Sequence, residues 1–179
     1  MKLLVATFII FGAALGTMTI DFGSENKETD WYVINDGVMG GLSRSNVSYT
    51  ADSFVFKGEV SLQNNGGFSS LRSEFSSFDL SNFKTVELRY RATGYNFALN
   101  LATSKVWYRP VYRTPIVATD GQWQTKVFNL LDFQEVVVGK ATGSSLSSDK
   151  LKDIIRLGFI TNEKRAGQFL LEVDYIRFK

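Results

Sequence analysis

The sequence predicts an all-β domain, an antiparallel two-sheet sandwich, and three observations carry that reading. Apolar residues recur at every second position through several short runs, and few stretches repeat them at helical spacing. Glycine-bearing turn signals separate the runs at Asp36-Gly37, Asn65-Gly66-Gly67, Thr93-Gly94, Asp120-Gly121 and Ala166-Gly167. The 179 residues include 15 Phe, bulky side chains that two facing sheets can bury between them.

From the N-terminus, residues 1–16 read as an export signal. Lys2 precedes the apolar run of residues 3–15, and Ala14-Leu15-Gly16 supplies the small-x-small site for cleavage after Gly16. An uncleaved membrane anchor is the alternative, because with residues 17–20 the run nears the ~20 residues that span a bilayer. Thr19-Ile20-Asp21-Phe22 reads as the first strand, which a spanning helix would consume. The expectation is a single domain over residues 17–179, exported to the periplasm or exterior, with no stable membrane span after cleavage.

Within that domain Phe54, Phe56, Gly58, Val60 and Leu62 keep one parity, and Asn64-Asn65-Gly66-Gly67 after them has the chemistry of a hairpin loop. Val86, Leu88 and Tyr90 alternate with Glu87, Arg89 and Arg91, and Phe97, Leu99 and Leu101 form the next inward set. Residues 106–113 (VWYRPVYR) read as a strand with Trp107, Arg109, Val111 and Arg113 on one face and Tyr108, Pro110 and Tyr112 on the other. Pro110 restricts that strand to an edge or a bulge. Residues 141–148 read as a flexible loop, and residues 148–154 as the one short helix, capped by Ser147 or Ser148. Phe169, Leu171 and Val173 share a face until Asp174-Tyr175 shifts the parity before Ile176 and Phe178, which predicts a bulge.

Composition removes whole classes of chemistry. Without Cys there is no disulfide framework, thiol nucleophile or iron–sulfur ligand, and without His there is no Ser-His-Asp triad or His-bound metal. A net charge of +2 from 20 well-mixed basic and 18 acidic residues leaves no footprint for nucleic acid. Glu135, Glu172 and Asp174 read as residues of solvated faces, and nothing marks Asp30 and Asp36 as an acid–base pair. No catalytic residue, cofactor or metal site is assigned; a DxDxDG loop for Ca²⁺ is missing from the sequence.

Residues 31–43 read WYVINDGVMGGLS. Gly37, Gly40 and Gly41 within five positions call for unusual backbone or close approach, Asn35 and Asp36 can hold such a loop, and Val38-Met39 would tuck inward as its apolar plug. The segment resembles the W-x-x-x-N-D-x-V-M-G-G-x-S signature of the complex I intermediate-associated protein family. Later blocks match as well: Phe56-x-Gly58-x-Val60 with residues 64–72, Trp123, Asp132-Phe133, Ile155-x-x-Gly158-Phe159, and Gly167-x-Phe169 running to Ile176. The resemblance implies a galactose-binding-like jelly roll and a role like that of factors assisting assembly of respiratory NADH:ubiquinone oxidoreductase. The leader is unlike a mitochondrial transit peptide, since it has no Arg.

Two surfaces are candidates for binding. Asn35, Asp36, Met39, Asn65 and Arg72 belong to the two glycine-rich loops, where a protein partner or client would dock and where Asp36 and Arg72 are expected to pair. Trp107, Tyr108, Tyr95 and again Arg72 suit the alternative of a carbohydrate, by ring stacking and forked hydrogen bonds. The leader gives the first test: the mature protein should begin at Thr17 and fractionate as soluble outside the cytoplasm. Intact mass with Met1 retained, in an integral membrane fraction, would contradict it.

Overall fold

The computed structural model describes residues 16–23 and 31–179, so most of the expected leader, and Asp30, lie outside the described residues. The first strands are β1 (Met18–Asp21), β2 (Trp31–Asn35), β3 (Arg44–Tyr49), β4 (Phe54–Val60) and β5 (Ser69–Ser73). They are followed by β6 (Thr85–Thr93), β7 (Phe97–Ala102), β8 (Val111–Ile116) and β9 (Gln124–Asn129). The last are β10 (Gln134–Val137), β11 (Lys140–Ser145), β12 (Arg156–Thr161) and β13 (Gly167–Phe178). One sheet runs β3-β4-β13-β6-β9 with β1 also paired to β13; the other runs β11-β10-β8-β7-β12-β5-β2, and every pairing is antiparallel.

The alternating residues are the core. Phe54, Phe56, Val86, Leu88, Phe97, Leu99, Leu101, Leu171 and Val173 are fully buried between the sheets. Aromatic rings join the two layers: Phe54 of the six-stranded sheet lies 5.6 Å from Phe159 and 5.8 Å from Trp31 of the seven-stranded one. Ring contacts of this kind, edge-to-face at Phe159 and tilted at Trp31, add to the area the rings bury. The expected bulge is present, with the register of β13 shifting between Val173 and Tyr175. Before it β13 pairs with β4, after it with β1, and Val173 and Ile176 both reach the core.

Several local expectations are corrected. Asn64-Asn65-Gly66-Gly67 is a corner between sheets, carrying the chain from β4 in one to β5 in the other. The other four glycine turns also change sheets. Residues 141–148 are largely strand: Val138 and Gly139, both with positive φ, turn β10 into β11, a wholly exposed edge strand without apolar alternation. The segment before Pro110 is a loop, and β8 begins only at Val111; Pro115, inside β8, stands in the half that β10 does not reach. The expected helix is a 3₁₀ helix over Ser148–Asp153, one of four short ones among the described residues. Glu172 is buried rather than solvated, receiving hydrogen bonds from Ser53 (2.7 Å) and Arg91 (2.6 Å).

Candidate functional site

Asp36 opens the 3₁₀ turn Asp36–Met39 and is only 1% exposed. Its carboxylate accepts from the Ser43 backbone N–H at 3.0 Å, the Ser43 hydroxyl at 2.5 Å, the Gly67 N–H at 2.6 Å and the Phe68 N–H at 3.3 Å. It thereby ties the loop after β2 to the corner before β5. Burial alone would raise the pKa of this carboxyl, but the Ser43 hydroxyl and the backbone donors outweigh it and hold the pKa below its ordinary value. The neighbouring glycines follow from the same carboxylate. A Cβ at Gly41 would collide with it, and one at Gly66 would stand 2.6 Å from its Oδ2. Asn35 extends the brace, its Oδ1 accepting from Ser45 (2.7 Å) and Ser69 (2.6 Å).

Because Asp36 takes the inward position, Val38 and Met39 point outward. The expected apolar plug is overturned: both are 75% exposed. Leu42 and Leu62, on the same two tied segments, are exposed as well, and so is Asn65, held in the left-handed region at φ 60°. The expected Asp36–Arg72 pair is also corrected. Both oxygens of Asp36 are engaged within the corner, while Arg72 lies on the outer face of β5 and its Nε donates to Ser70 at 3.3 Å.

That outer face is the second surface. The registers align one row across all seven strands: Tyr32, Arg72, Gly158, Asn100, Arg113, Gln134 and Ser145. Arg113 Nε donates to Asn100 Oδ1 at 3.0 Å. Arg156, on β12 beside the row, stacks 3.3 Å from the Phe75 ring centroid and donates a hydrogen bond to the Tyr32 hydroxyl. The hairpin loop 103–110 at this end of the sheet carries Trp107, 77% exposed, and Tyr108, 55% exposed, in an edge-to-face pair 5.7 Å apart. Lys105 of the same loop lies 5.3 Å over Phe75. Tyr95 belongs to neither surface: it is buried at the corner after β6, its hydroxyl bonded to the Arg165 carbonyl. Arg113, Arg156 and Asn100 had no place among the sequence candidates, because the row exists only once distant strands are paired. No group of three or more carboxylates converges among the described residues in a way that would hold a metal.

Asp36→Asn offers the Gly67 and Phe68 donors an amide in place of one carboxylate oxygen and should cost about 2–3 kcal/mol at neutral pH. For a chain of this size that lowers Tm by roughly 5–10 °C. Since folding depresses the carboxyl pKa, its contribution is complete above the unfolded value of 3.8 and is lost as the pH falls below it toward the folded value. The Tm gap between wild type and variant should therefore narrow over that acidic window. A gap that is absent, or equal at every pH, would contradict the brace.

The fold has solved counterparts. A family 11 carbohydrate-binding module from a cellulosomal cellulase of Clostridium thermocellum superposes with a TM-score of 0.65 at 12% identity, over 93% of this chain and 95% of that one. A family 11 module of the same organism in complex with a β-1,3-1,4-mixed-linked tetrasaccharide gives 0.63 at 15% identity, over 93% and 96%. A family 29 carbohydrate-binding module gives 0.52 at 10% identity, over 91% and 89%. No curated protein matches the sequence. The family model of complex I intermediate-associated protein 30 matches residues 20–173. That span takes in the Asp36 corner, the Arg72 strand and β13 up to its bulge, and the chain belongs to the complex I intermediate-associated protein 30 family.

Proposed function

We propose that the protein is a non-catalytic binding module of the assembly-factor kind that docks a protein partner at the corner braced by Asp36. The observation that carries this is the display of Val38 and Met39, each 75% exposed, on a loop whose backbone is fixed by a buried carboxylate. Large apolar side chains held outward on a fixed backbone spare the cost of ordering that backbone on binding, and that favours an interface. Leu42 and Leu62 extend the apolar area, and Asn65 lies at its polar margin. Membership in a family named for association with complex I intermediates supports a protein partner. Export through the leader would place that partner outside the cytoplasm.

A second reading, carbohydrate binding, is favoured by a separate observation: the row of Arg, Asn and Tyr across the seven-stranded sheet with Trp107 and Tyr108 at its end. Exposed rings and forked donors are suited to sugar rings and their hydroxyls. The fold shared with carbohydrate-binding modules supports it.

A photo-crosslinking residue at position 39 tests the first reading in cells. It should capture a discrete protein, whereas the same residue at Val127, 58% exposed on the outer face of the other sheet, should not. Val38→Ser combined with Met39→Ser should leave Tm within about 1 °C, since surface changes move stability little, and weaken that partner's binding at least tenfold. Identical capture from both positions, or binding untouched by the double substitution, would overturn it.

A further inference from the structure

The two outer faces of the sandwich hold their half-buried arginines differently. On the six-stranded sheet the cations around β13 are matched: Arg89 with Asp174 at 2.7 Å, Arg91 with Glu172 at 2.6 Å, and Glu87 with Arg177 at 3.3 Å and Lys179 at 2.6 Å. On the seven-stranded sheet Arg72, Arg113 and Arg156 lie within one register row or beside it, and none makes an ion pair among the described residues. These arginines are not free in solvent either. All three are half-buried, and the buried Nε of Arg156 has no hydrogen-bond partner. Burial pulls the Arg72 guanidinium below its ordinary pKa, with Arg156 pushing the same way, and burial does likewise to Arg113 and Arg156. Guanidinium groups stay protonated under such shifts, so the fold holds desolvated positive charge on this face, with Arg156 repelling Arg72.

We infer that this face binds an anionic polysaccharide, with carboxylate or sulfate groups received by Arg72 and Arg113 and sugar rings stacked at Trp107 and Tyr108. The inference rests on the carbohydrate reading above and narrows it to charged glycans. Arg72 spends its Nε on Ser70 and Arg113 its Nε on Asn100, and the terminal nitrogens of both meet no protein acceptor among the described residues. Two such planar forks match the paired oxygens of a carboxylate or sulfate. Arg72 and Arg113 stand on β5 and β8, three strand steps apart in the row, roughly 14 Å at about 4.8 Å per strand. Gly158 and Asn100 form a low floor between them, so an extended chain with repeated charge can reach both. The aromatic loop begins just past Ala102 and Val111, about 7 Å further along the strands. A folded acidic protein is the poorer occupant, because the row has no large apolar side chain from Arg72 through Gln134 to serve as the dry centre of an interface.

Native affinity gels containing polygalacturonate, dextran sulfate, neutral mixed-linkage β-glucan or poly-L-glutamate test this on the purified protein. Polygalacturonate or dextran sulfate should bind, and which of them binds separates carboxylate from sulfate. Arg72→Gln with Arg113→Gln should weaken that binding at least tenfold while leaving Tm unchanged or raised, because unmatched charge is removed. Trp107→Ala, on an exposed loop, should weaken it several-fold at unchanged Tm, and Lys126→Gln on the other sheet should not weaken it. Binding of neutral β-glucan alone would overturn the inference and leave the carbohydrate reading standing. Equal binding of poly-L-glutamate would overturn it in favour of an acidic polypeptide. No binding of any probe would overturn both, and a lowered Tm with unchanged binding would return the arginines to a structural role.

Discussion

A single buried carboxylate organises the part of the molecule that its family signature describes. Asp36 collects hydrogen bonds from Ser43, Gly67 and Phe68, donors on two segments that the chain separates by a full hairpin. Withdrawing a carboxylate from water is costly unless its oxygens are satisfied, and here both are, by charge-assisted bonds. The rest of the corner conforms to that solution. Gly41 and Gly66 are small because the carboxylate occupies the space a side chain would need. Val38 and Met39 turn to solvent because Asp36 holds the inward place. The signature is thus a structural brace whose by-product is an apolar surface.

The sandwich around it separates its tasks by face. The interior is filled with aromatic rings that lock the sheets together, Phe54, Trp31 and Phe159 at one end and Phe56, Phe97 and Phe169 at the other. On the outer face of the six-stranded sheet Arg89 and Arg91 are held by ion pairs, and Trp123 lies 5.3 Å from the Arg89 guanidinium and 5.1 Å from that of Arg91. The other outer face keeps its arginines unmatched. A fold under pressure for stability alone would match them, and departures of that kind concentrate where ligands bind.

Much of this was legible in the sequence, for reasons that differ by residue. Period-two burial identified Phe54, Phe56, Leu88, Phe97 and Leu171, since alternation is fixed by the pleat itself. Asp174-Tyr175 announced the bulge because a parity shift has few other causes. Turn chemistry located five corners but could not tell a hairpin from a change of sheet: the backbone of Asn64 and Asn65 is the same local problem in either case. The exposed strand β11 gave no signal, because both of its faces are wet. Met39 misled because hydrophobicity argues for burial unless a neighbour has claimed the space. The arginine row was invisible because Arg72, Arg113 and Arg156 become neighbours only through long-range pairing.

The brace is tested most directly by amide hydrogen exchange at Ser43 and Gly67, whose N–H groups are donated to the Asp36 side chain rather than to a strand partner. Both amides should be protected to a degree comparable with Leu99 and Leu171 in the core strands, and both should lose that protection together in Asp36→Asn while the core strands keep theirs. Exchange at Ser43 and Gly67 near the rate of an open loop in the wild-type protein would contradict the account, because the corner would then be a flexible loop rather than a fixed platform.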